Sequence, residues 1–159
     1  MSRTVRVDEL DGLVGEVLGV SSWHRVTQAT VNQFAAATGD YQWIHTDPVR
    51  AAAEGPWGAP VAHGLLTLAL LPSMITEAFS VEGADVIVNK GFDKVRLANP
   101  VKVGSRVRGT VKLGSATPRP RSFHEVRLQV TVEVEDQAGA ALKAETIFLY
   151  RQAELLAAG

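Results

Sequence analysis

Hydrophobic and polar residues alternate along the second half of the chain. Every second residue over 126–134 is Val or Leu, with polar residues between them. The same period of two recurs over 107–113 and 142–150, and it is typical of strands that bury one face. The sequence Asp-Gln-Ala-Gly at 136–139 predicts a hairpin turn between two of these strands.

The first half of the chain has the longer period and the terminal signals of helices. Thr27 can cap a helix over 29–38, and Gly39 can end it in a left-handed turn. The Asp-Pro pair at 47–48 predicts the start of a second, short helix that stops at Gly55. The segment between these helices is too short and irregular for an element of its own, so we predict a loop there.

A third helix, over 63–79, is apolar on nearly every side and is therefore predicted to be buried. Pro72 removes a backbone donor within it and should bend it. We expect a further strand over 84–97, in which Gly91 allows a bulge or bend. Helices followed by antiparallel strands indicate an α+β fold. The economical arrangement is one domain, residues 1–159, with a curved antiparallel sheet wrapped around the long central buried helix.

Composition narrows the class of function. The formal net charge of −1 over 159 residues argues against a nucleic-acid-binding protein. The chain has no cysteine, which excludes a disulfide framework and a Cys nucleophile and fits a reducing cytoplasm. The longest apolar stretch is interrupted by Pro72, Ser73 and Glu77 and is shorter than the ~20 residues of a membrane span. With no signal-peptide pattern at its start, we expect a cytoplasmic protein that does not enter membranes.

Three residues near the predicted start of the central helix could carry chemistry. Asp40 and His45, separated by four residues, could activate one water, the imidazole taking a proton while the carboxylate orients it. On its own this spacing is weak evidence, because loop Asp and His residues commonly cap helices or face solvent. Gly64 opens the buried helix, and the free N–H groups of such a terminus stabilise an oxygen that gains negative charge.

Two segments around these residues resemble a known family. The stretch 34–48 contains Gly-Asp-Tyr-Gln-Trp-Ile-His-Thr-Asp, and the stretch 60–67 contains Pro-Val-Ala-His-Gly. Together they resemble the two-part signature of MaoC-like (R)-specific enoyl-CoA hydratases, G-D-x-N-P-[IL]-H-x-D followed by P-[IV]-x-H-G. Segments 89–96 and 100–104 also resemble the strand and loop that follow in that family.

The resemblance implies a hot-dog fold and the reversible hydration of a trans-2-enoyl-CoA to an (R)-3-hydroxyacyl-CoA. It implies that Asp40 and His45 are the catalytic pair and that the N–H group of Gly64 holds the thioester oxygen. Supporting roles are expected of three further residues: Gln42, His63 and Thr67. The substrate would be a thioester of CoA or of acyl carrier protein, with no metal and no redox cofactor.

This sequence departs from the commonest form of the signature at two places. Gln42 stands where Asn is usual, and Trp43 stands where Pro is usual. The resulting D-x-Q-W-I-H pattern is similar to a NodN-like subgroup. Because Asp40 and His45 keep their spacing, the departures bear on how the loop packs and on the acyl chain that the site accepts.

Two other functions remain open at this point. Hot-dog proteins include acyl-CoA thioesterases, in which a carboxylate directs water at the carbonyl carbon. The chain could also be a non-catalytic subunit of a hetero-oligomeric dehydratase. Whether the chain is a hydratase or a thioesterase, we expect a homodimer, because a single hot-dog unit exposes a sheet edge that a second copy can cover.

The remaining charged residues give weaker indications. A metal site built from Asp40, His45, Asp47 and His63 is not favoured, because no His pair has helical ligand spacing. His124 is predicted to point inward at a strand end, and His24 shows no partner pattern. Six basic residues could contact CoA phosphates or simply face solvent: Lys90, Lys94, Arg96, Lys102, Arg106 and Arg108.

Overall fold

The computed structural model describes residues 3–153, so the single domain expected over 1–159 extends beyond the described residues at both ends. The strands are β1 (Arg3–Arg6), β2 (Val17–Val20), β3 (His24–Arg25), β4 (Phe79–Glu82), β5 (Ala84–Leu97), β6 (Arg106–Arg119), β7 (Phe123–Val134) and β8 (Ala140–Gln152). The helices are α1 (Gln28–Thr38), α2 (Trp43–Thr46), α3 (Pro48–Glu54), α4 (Gly64–Ala69) and α5 (Leu71–Ala78), and a 3₁₀ helix covers Val7–Leu13. No helix within the described range is both long and apolar enough to span a membrane.

One antiparallel sheet dominates the fold. Its strand order is β2-β6-β7-β8-β5, and β3 also pairs with β6. β1 and β4 form a separate parallel pair. The predicted strands are confirmed, and so is the turn at 136–139, where Asp136 and Gly139 adopt positive φ angles of 57° and 83°. The sheet is one-sided because β6, β7 and β8 carry apolar residues on the face toward the helices.

The predicted helix ends of α1 and α3 are confirmed. The Thr27 hydroxyl accepts a hydrogen bond from the N–H of Thr30 at 3.1 Å, and Gly39 adopts the left-handed conformation with φ 78°. The Asp47 carboxylate caps α3 by accepting from the N–H of Arg50 at 3.0 Å. Each cap satisfies backbone groups that the first or last turn leaves free.

The loop predicted between those helices is partly wrong. Trp43–Thr46 form the single turn α2, in which the carbonyl of Gln42 accepts from the N–H groups of His45 and Thr46. One turn is shorter than the helical period, so no repeat of apolar positions could reveal it.

The central helix is bent as predicted but only half buried. It divides at Leu70 into α4 and α5, immediately before Pro72. Leu71 and Met74 are fully buried against the sheet, whereas Leu65 is 63% exposed. The expectation of a helix without an exposed face was therefore wrong, because the sheet covers it from one side only.

The core lies between this helix and the concave face of the sheet. Its fully buried side chains include Leu10, Val107, Val111, Leu113, Val126, Leu128 and Leu142. Burying each such side chain contributes about 1.5–3 kcal/mol.

The pairing of strand β5 with β8 shifts at three places, the first of them between Ala84 and Val86. The predicted irregularity at Gly91 is confirmed by a shift in the pairing of β5 with β8 between Asn89 and Gly91. The third shift falls between Asp93 and Arg96, where Lys94 has φ 52°. An extra residue in a strand reverses which face the following side chains occupy.

The bulge at Lys94 determines which side chain packs against Gly64. After it, the side chain of Leu97 turns to the inner face of the sheet. There it lies so close to Gly64 that a Cβ atom at position 64 would overlap it. The end of β5 therefore packs directly on the start of α4.

Candidate active site

His45 is held so that one ring nitrogen remains available. The side chain is 8% exposed, and Nδ1 lies 2.7 Å from the carbonyl oxygen of Val61. A carbonyl oxygen only accepts hydrogen bonds, so Nδ1 carries the proton in this contact. In the neutral imidazole, Nε2 is then unprotonated and can accept a proton from water.

The backbone of His45 is fixed from a second direction. The side-chain amide of Gln28 donates to the carbonyl oxygen of His45 at 2.7 Å and to Oδ1 of Asn32 at 2.9 Å. This contact ties α2 to the first turn of α1. The sequence reasoning missed Gln28, since its partner lies 17 residues away.

His63 packs against His45. The two rings are stacked with centroids 3.9 Å apart and an interplanar angle of 28°, and the ring of Phe34 lies 5.0 Å from that of His63. Nε2 of His63 donates to the backbone carbonyl of Asp40 at 3.0 Å. Nδ1 of His63 is buried and, within residues 3–153, has no hydrogen-bond partner.

The Asp40 carboxylate lies near the two histidine rings, at the solvent-exposed side of the cluster. Its side chain is 54% exposed, and Oδ2 lies 4.0 Å from Nε2 of His63. Oδ1 accepts a long hydrogen bond from the N–H of Gln42 at 3.4 Å. One potential ligand atom from each of Asp40, His45 and His63 lies within 4.8 Å of the other two. The predicted pair is therefore brought together, and the same three groups could hold either a water molecule or a metal ion.

A cavity of about 310 Å³ adjoins this cluster. It is lined by His45, Gly64 and Thr67 and by mainly apolar residues: Ile44, Trp57, Val61, Ala62, Leu97, Ala98, Asn99, Pro100, Val101 and Ala141. As the first residue of α4, Gly64 has no acceptor for its N–H group within the helix. An elongated apolar ligand with one polar oxygen suits such a cavity.

The matches to known proteins agree with this geometry. The model of the MaoC like domain family matches residues 10–138. The chain belongs to this family. The resemblance noted in the sequence is thus confirmed, and the match covers most of the chain.

Two named relatives match this MaoC-like protein along most of their length. The 3-hydroxyacyl-thioester dehydratase Z of Mycobacterium tuberculosis is 46% identical over 144 residues, which are 91% of this chain and 95% of the relative. Nodulation protein N of Rhizobium meliloti is 43% identical over 144 residues, 90% of this chain and 89% of that protein. The similarity to a nodulation protein accords with the D-x-Q-W-I-H pattern.

Solved structures confirm the hot-dog fold of the MaoC-like chain. A monoamine oxidase regulatory protein from Archaeoglobus fulgius has a TM-score of 0.76 at 21% identity, covering 97% of this chain and 99% of that one. An unliganded (R)-hydratase from Pseudomonas aeruginosa has a TM-score of 0.70 at 22% identity, covering 89% of this chain and 84% of that one. At these identities the likeness concerns the fold.

The predicted supporting residues differ in how they meet the site. The backbone carbonyl of Gln42 anchors α2, while its side chain is exposed. Thr67 is buried, lines the cavity, and donates its N–H to the carbonyl of His63 at 3.2 Å. His63 makes the most contacts of the three. The catalytic and supporting roles of all these residues stay predictions.

Four of the six basic residues that could contact CoA phosphates lie in ion pairs with carboxylates of the sheet. Lys90 lies 2.9 Å from Glu125, Lys94 lies 3.9 Å from Glu145, and Arg106 and Arg108 pair with Glu135 and Glu133. Hydrogen bonds from Lys90 and Arg119 lower the pKa of Glu125. Arg96 and Lys102 have no ion-pair partner within residues 3–153.

Two histidines lie outside the cluster. His24, for which the sequence showed no partner pattern, has Nε2 3.1 Å from a carboxylate oxygen of Glu77. His124 is half-buried at the start of β7, and its Nδ1 faces inward without a hydrogen-bond partner in the described chain. Neither residue lines the cavity.

Proposed function

We propose that this MaoC-like protein is a lyase that interconverts a trans-2-enoyl thioester and an (R)-3-hydroxyacyl thioester. The observation that supports it best is the proton-accepting nitrogen of His45 beside the carboxylate of Asp40, with the free N–H of Gly64 in the adjoining cavity. The name of the relative that is 46% identical, a 3-hydroxyacyl-thioester dehydratase, supports the same chemistry.

In the hydration direction, Asp40 and His45 hold one water. As the water oxygen bonds to C3 of the substrate, Nε2 of His45 takes one of the water's protons, and negative charge grows on the thioester oxygen, where the N–H group of Gly64 donates to it. The proton then passes to C2 from the same face, which removes that charge. A general acid–base pair contributes about 10²–10⁴-fold to rate, and an oxyanion donor contributes about 10²–10³-fold.

His63 and Gln28 position the pair in this mechanism. His63 holds the backbone of Asp40 and stacks on His45, and Gln28 holds the backbone of His45. Neither needs to touch substrate, because each fixes a group that does.

We propose that the reaction uses neither metal nor redox cofactor. The cluster of Asp40, His45 and His63 could in principle hold a divalent ion. Dialysis of the purified protein against a chelator, followed by assay with and without added Zn²⁺, should leave the rate unchanged. A rate that falls on dialysis and returns with the ion would make the cluster a metal site.

We also propose a homodimer that pairs the sheets through β5. In the described chain, β5 has a strand partner only on its β8 side. Apolar side chains remain exposed along it and on α4 beside it: Leu65, Ile87, Val88, Val95 and Leu97. A long, apolar, unpaired edge is unstable in water unless covered. A monomeric mass in solution would refute this.

A cytoplasmic location stays a prediction of the sequence.

The decisive assay follows the loss of enoyl-thioester absorbance when the protein is mixed with crotonyl-CoA. The matched variant is Asp40→Asn, which keeps the shape of a half-exposed side chain and removes its charge. We expect rapid loss with the parent protein and almost none with the variant. Equal rates would refute the role of Asp40.

The same assay separates the two other candidate functions. Release of free CoA from a saturated acyl-CoA would identify a thioesterase. Inactivity alone, with activity gained on adding a partner subunit, would identify the chain as one member of a hetero-oligomeric dehydratase.

A further inference from the structure

The outer face of the sheet, which points away from the central helix, is a ladder of opposite charges. Arg106 pairs with Glu135, and Arg108 pairs with Glu133. Farther along, Arg127 lies 2.8 Å from both Asp93 and Glu145. Cations on this face therefore tend to have a carboxylate as cross-strand neighbour.

One row of the ladder breaks that pattern. Arg96 on β5 stands directly opposite Lys143 on β8, and the next residue in the row is Thr131 on β7. Both cations are exposed, and neither has an ion-pair partner within residues 3–153. The nearest acid along β8, Glu145, is already held by Arg127 and approached by Lys94. Like charges directly opposite each other destabilise a sheet, which an anion bound between them would relieve.

The bulge at Lys94 brings Arg96 opposite Lys143 on the outer face and also places this pair beside the cavity. Because of the extra residue, Arg96 shares the outer face with Asp93, while Leu97 turns inward onto Gly64. The cavity is lined by the three residues that follow Arg96 in the chain and by one that lies two positions before Lys143: Leu97, Ala98, Asn99 and Ala141. The two cations therefore stand at the corner of the sheet next to the cavity wall.

We propose that Arg96 and Lys143 bind a phosphate group at the far end of the pantetheine arm that carries the substrate. A guanidinium can donate two parallel hydrogen bonds to a phosphate, and an ammonium adds a compact charge. With the thioester oxygen at Gly64, the arm leaves the cavity past Leu97 and Asn99 and turns around the end of β5 to this corner. The inference rests on the proposed hydratase function and adds the part of the carrier that the protein recognises.

The test compares crotonyl-CoA with crotonyl-pantetheine, which lacks every phosphate. For the double variant Arg96→Gln/Lys143→Gln we expect KM for crotonyl-CoA to rise about 10-fold or more, with kcat unchanged. Its kinetics on crotonyl-pantetheine should equal those of the parent. Added salt should raise KM for crotonyl-CoA in the parent and much less in the variant, because salt screens exposed charges.

The matched control is Lys112→Gln. Lys112 is an exposed lysine on the same outer face, paired in register with Gln129, and has no ion-pair partner in the described chain. It should leave KM for both substrates unchanged. A KM for crotonyl-CoA that is unchanged in the double variant would overturn the inference. So would an equal loss on both substrates, or a loss of dimer mass, which would assign the pair to a subunit contact.

Further outcomes distinguish a failure of this inference from a failure of the proposed hydratase function. A parent protein inactive on both substrates would overturn the proposed function and this inference with it. A parent active on both substrates with equal KM would overturn only the inference.

If the inference holds, crotonyl-4′-phosphopantetheine identifies which phosphate of the carrier is bound. Sensitivity of its KM to the double variant indicates the phosphate that CoA shares with carrier proteins, and insensitivity indicates the nucleotide phosphates of CoA.

Discussion

Polar side chains are paired with one another on the outer face of the sheet, whereas those near its inner face keep unused donors or acceptors. On the outer face, charged side chains pair across strands, as Arg127 does with Asp93 and Glu145. Toward the inner side, beside the cavity, His45 and His63 bond through one ring nitrogen each to a backbone carbonyl and keep the other nitrogen free. Paired charges hold a surface in place, whereas buried groups with spare donors or acceptors can exchange protons with a ligand.

The largest expected effect comes from removing the free nitrogen on the inner side. His45→Gln should lower kcat for enoyl-thioester hydration by at least about 10²-fold, because the amide cannot take up the proton. The melting temperature should change little. His124→Gln, at a half-buried histidine that does not line the cavity, is the control and should retain full activity. An active His45→Gln variant would remove the distinction drawn between the two faces.

A second test concerns the contact of Gly64 with Leu97. Gly64→Ala should lower activity, because the new methyl group displaces the end of the Leu97 side chain in the cavity wall. It should change stability little, since that side chain is 51% exposed and can move aside. Leu97→Ala in the same chain should restore the room and recover much of the activity. Thermal melts and hydration rates of the two single variants and the double variant measure the coupling. Additive losses would show that the two side chains do not meet.

The role of His63 can be separated from its packing. His63→Phe keeps an aromatic ring against His45 but loses the hydrogen bond to the Asp40 carbonyl. We expect kcat to fall about 10-fold, since one such bond contributes about 0.5–1.5 kcal/mol and 1.4 kcal/mol corresponds to a factor of ten. KM should stay near that of the parent. A drop as large as that of His45→Gln would instead make His63 a catalytic residue.

The smallest expected effect lies on the outer face. Hydrogen bonds from Lys90 and Arg119 lower the pKa of Glu125 below its ordinary value of 4.5. A carboxyl with a lowered pKa stabilises the fold above its ordinary pKa, and this contribution is lost as the pH falls through the lowered value. Glu125→Gln should therefore cost less than about 1 kcal/mol at pH 7 and flatten the loss of stability below pH 4.5. Unfolding curves between pH 3 and 7 measure this, and a parallel shift at every pH would contradict it.

Much of the fold could be predicted because its signals are local. The alternation over 126–134 and the caps at Thr27 and Asp47 lie within single elements, and all are confirmed. The exposed side of the central helix was missed although Ser73, Thr76 and Glu77 mark it, because the apolar Leu65 lies on that side as well.

The candidate residues of the site were also accessible from the sequence, since Asp40, His45 and Gly64 stand in two short motifs. Their supports were not. Gln28 and Val61 lie 17 and 16 residues from His45, and they meet it only when α1 and the segment before α4 pack around α2. A hydrogen bond between distant positions leaves no periodic trace.

By itself, then, the sequence determined the α+β class, the four long strands, the caps of α1 and α3, the family and the identity of the residues that could carry chemistry. These depend on spacing within a few residues. Only the tertiary structure decided which nitrogen of His45 is free, that Leu97 lies on Gly64, and that Arg96 and Lys143 face each other with no carboxylate partner among residues 3–153. The physical reason is the bulge at Lys94 and the packing of α2, which set the face and register of side chains far apart in the chain.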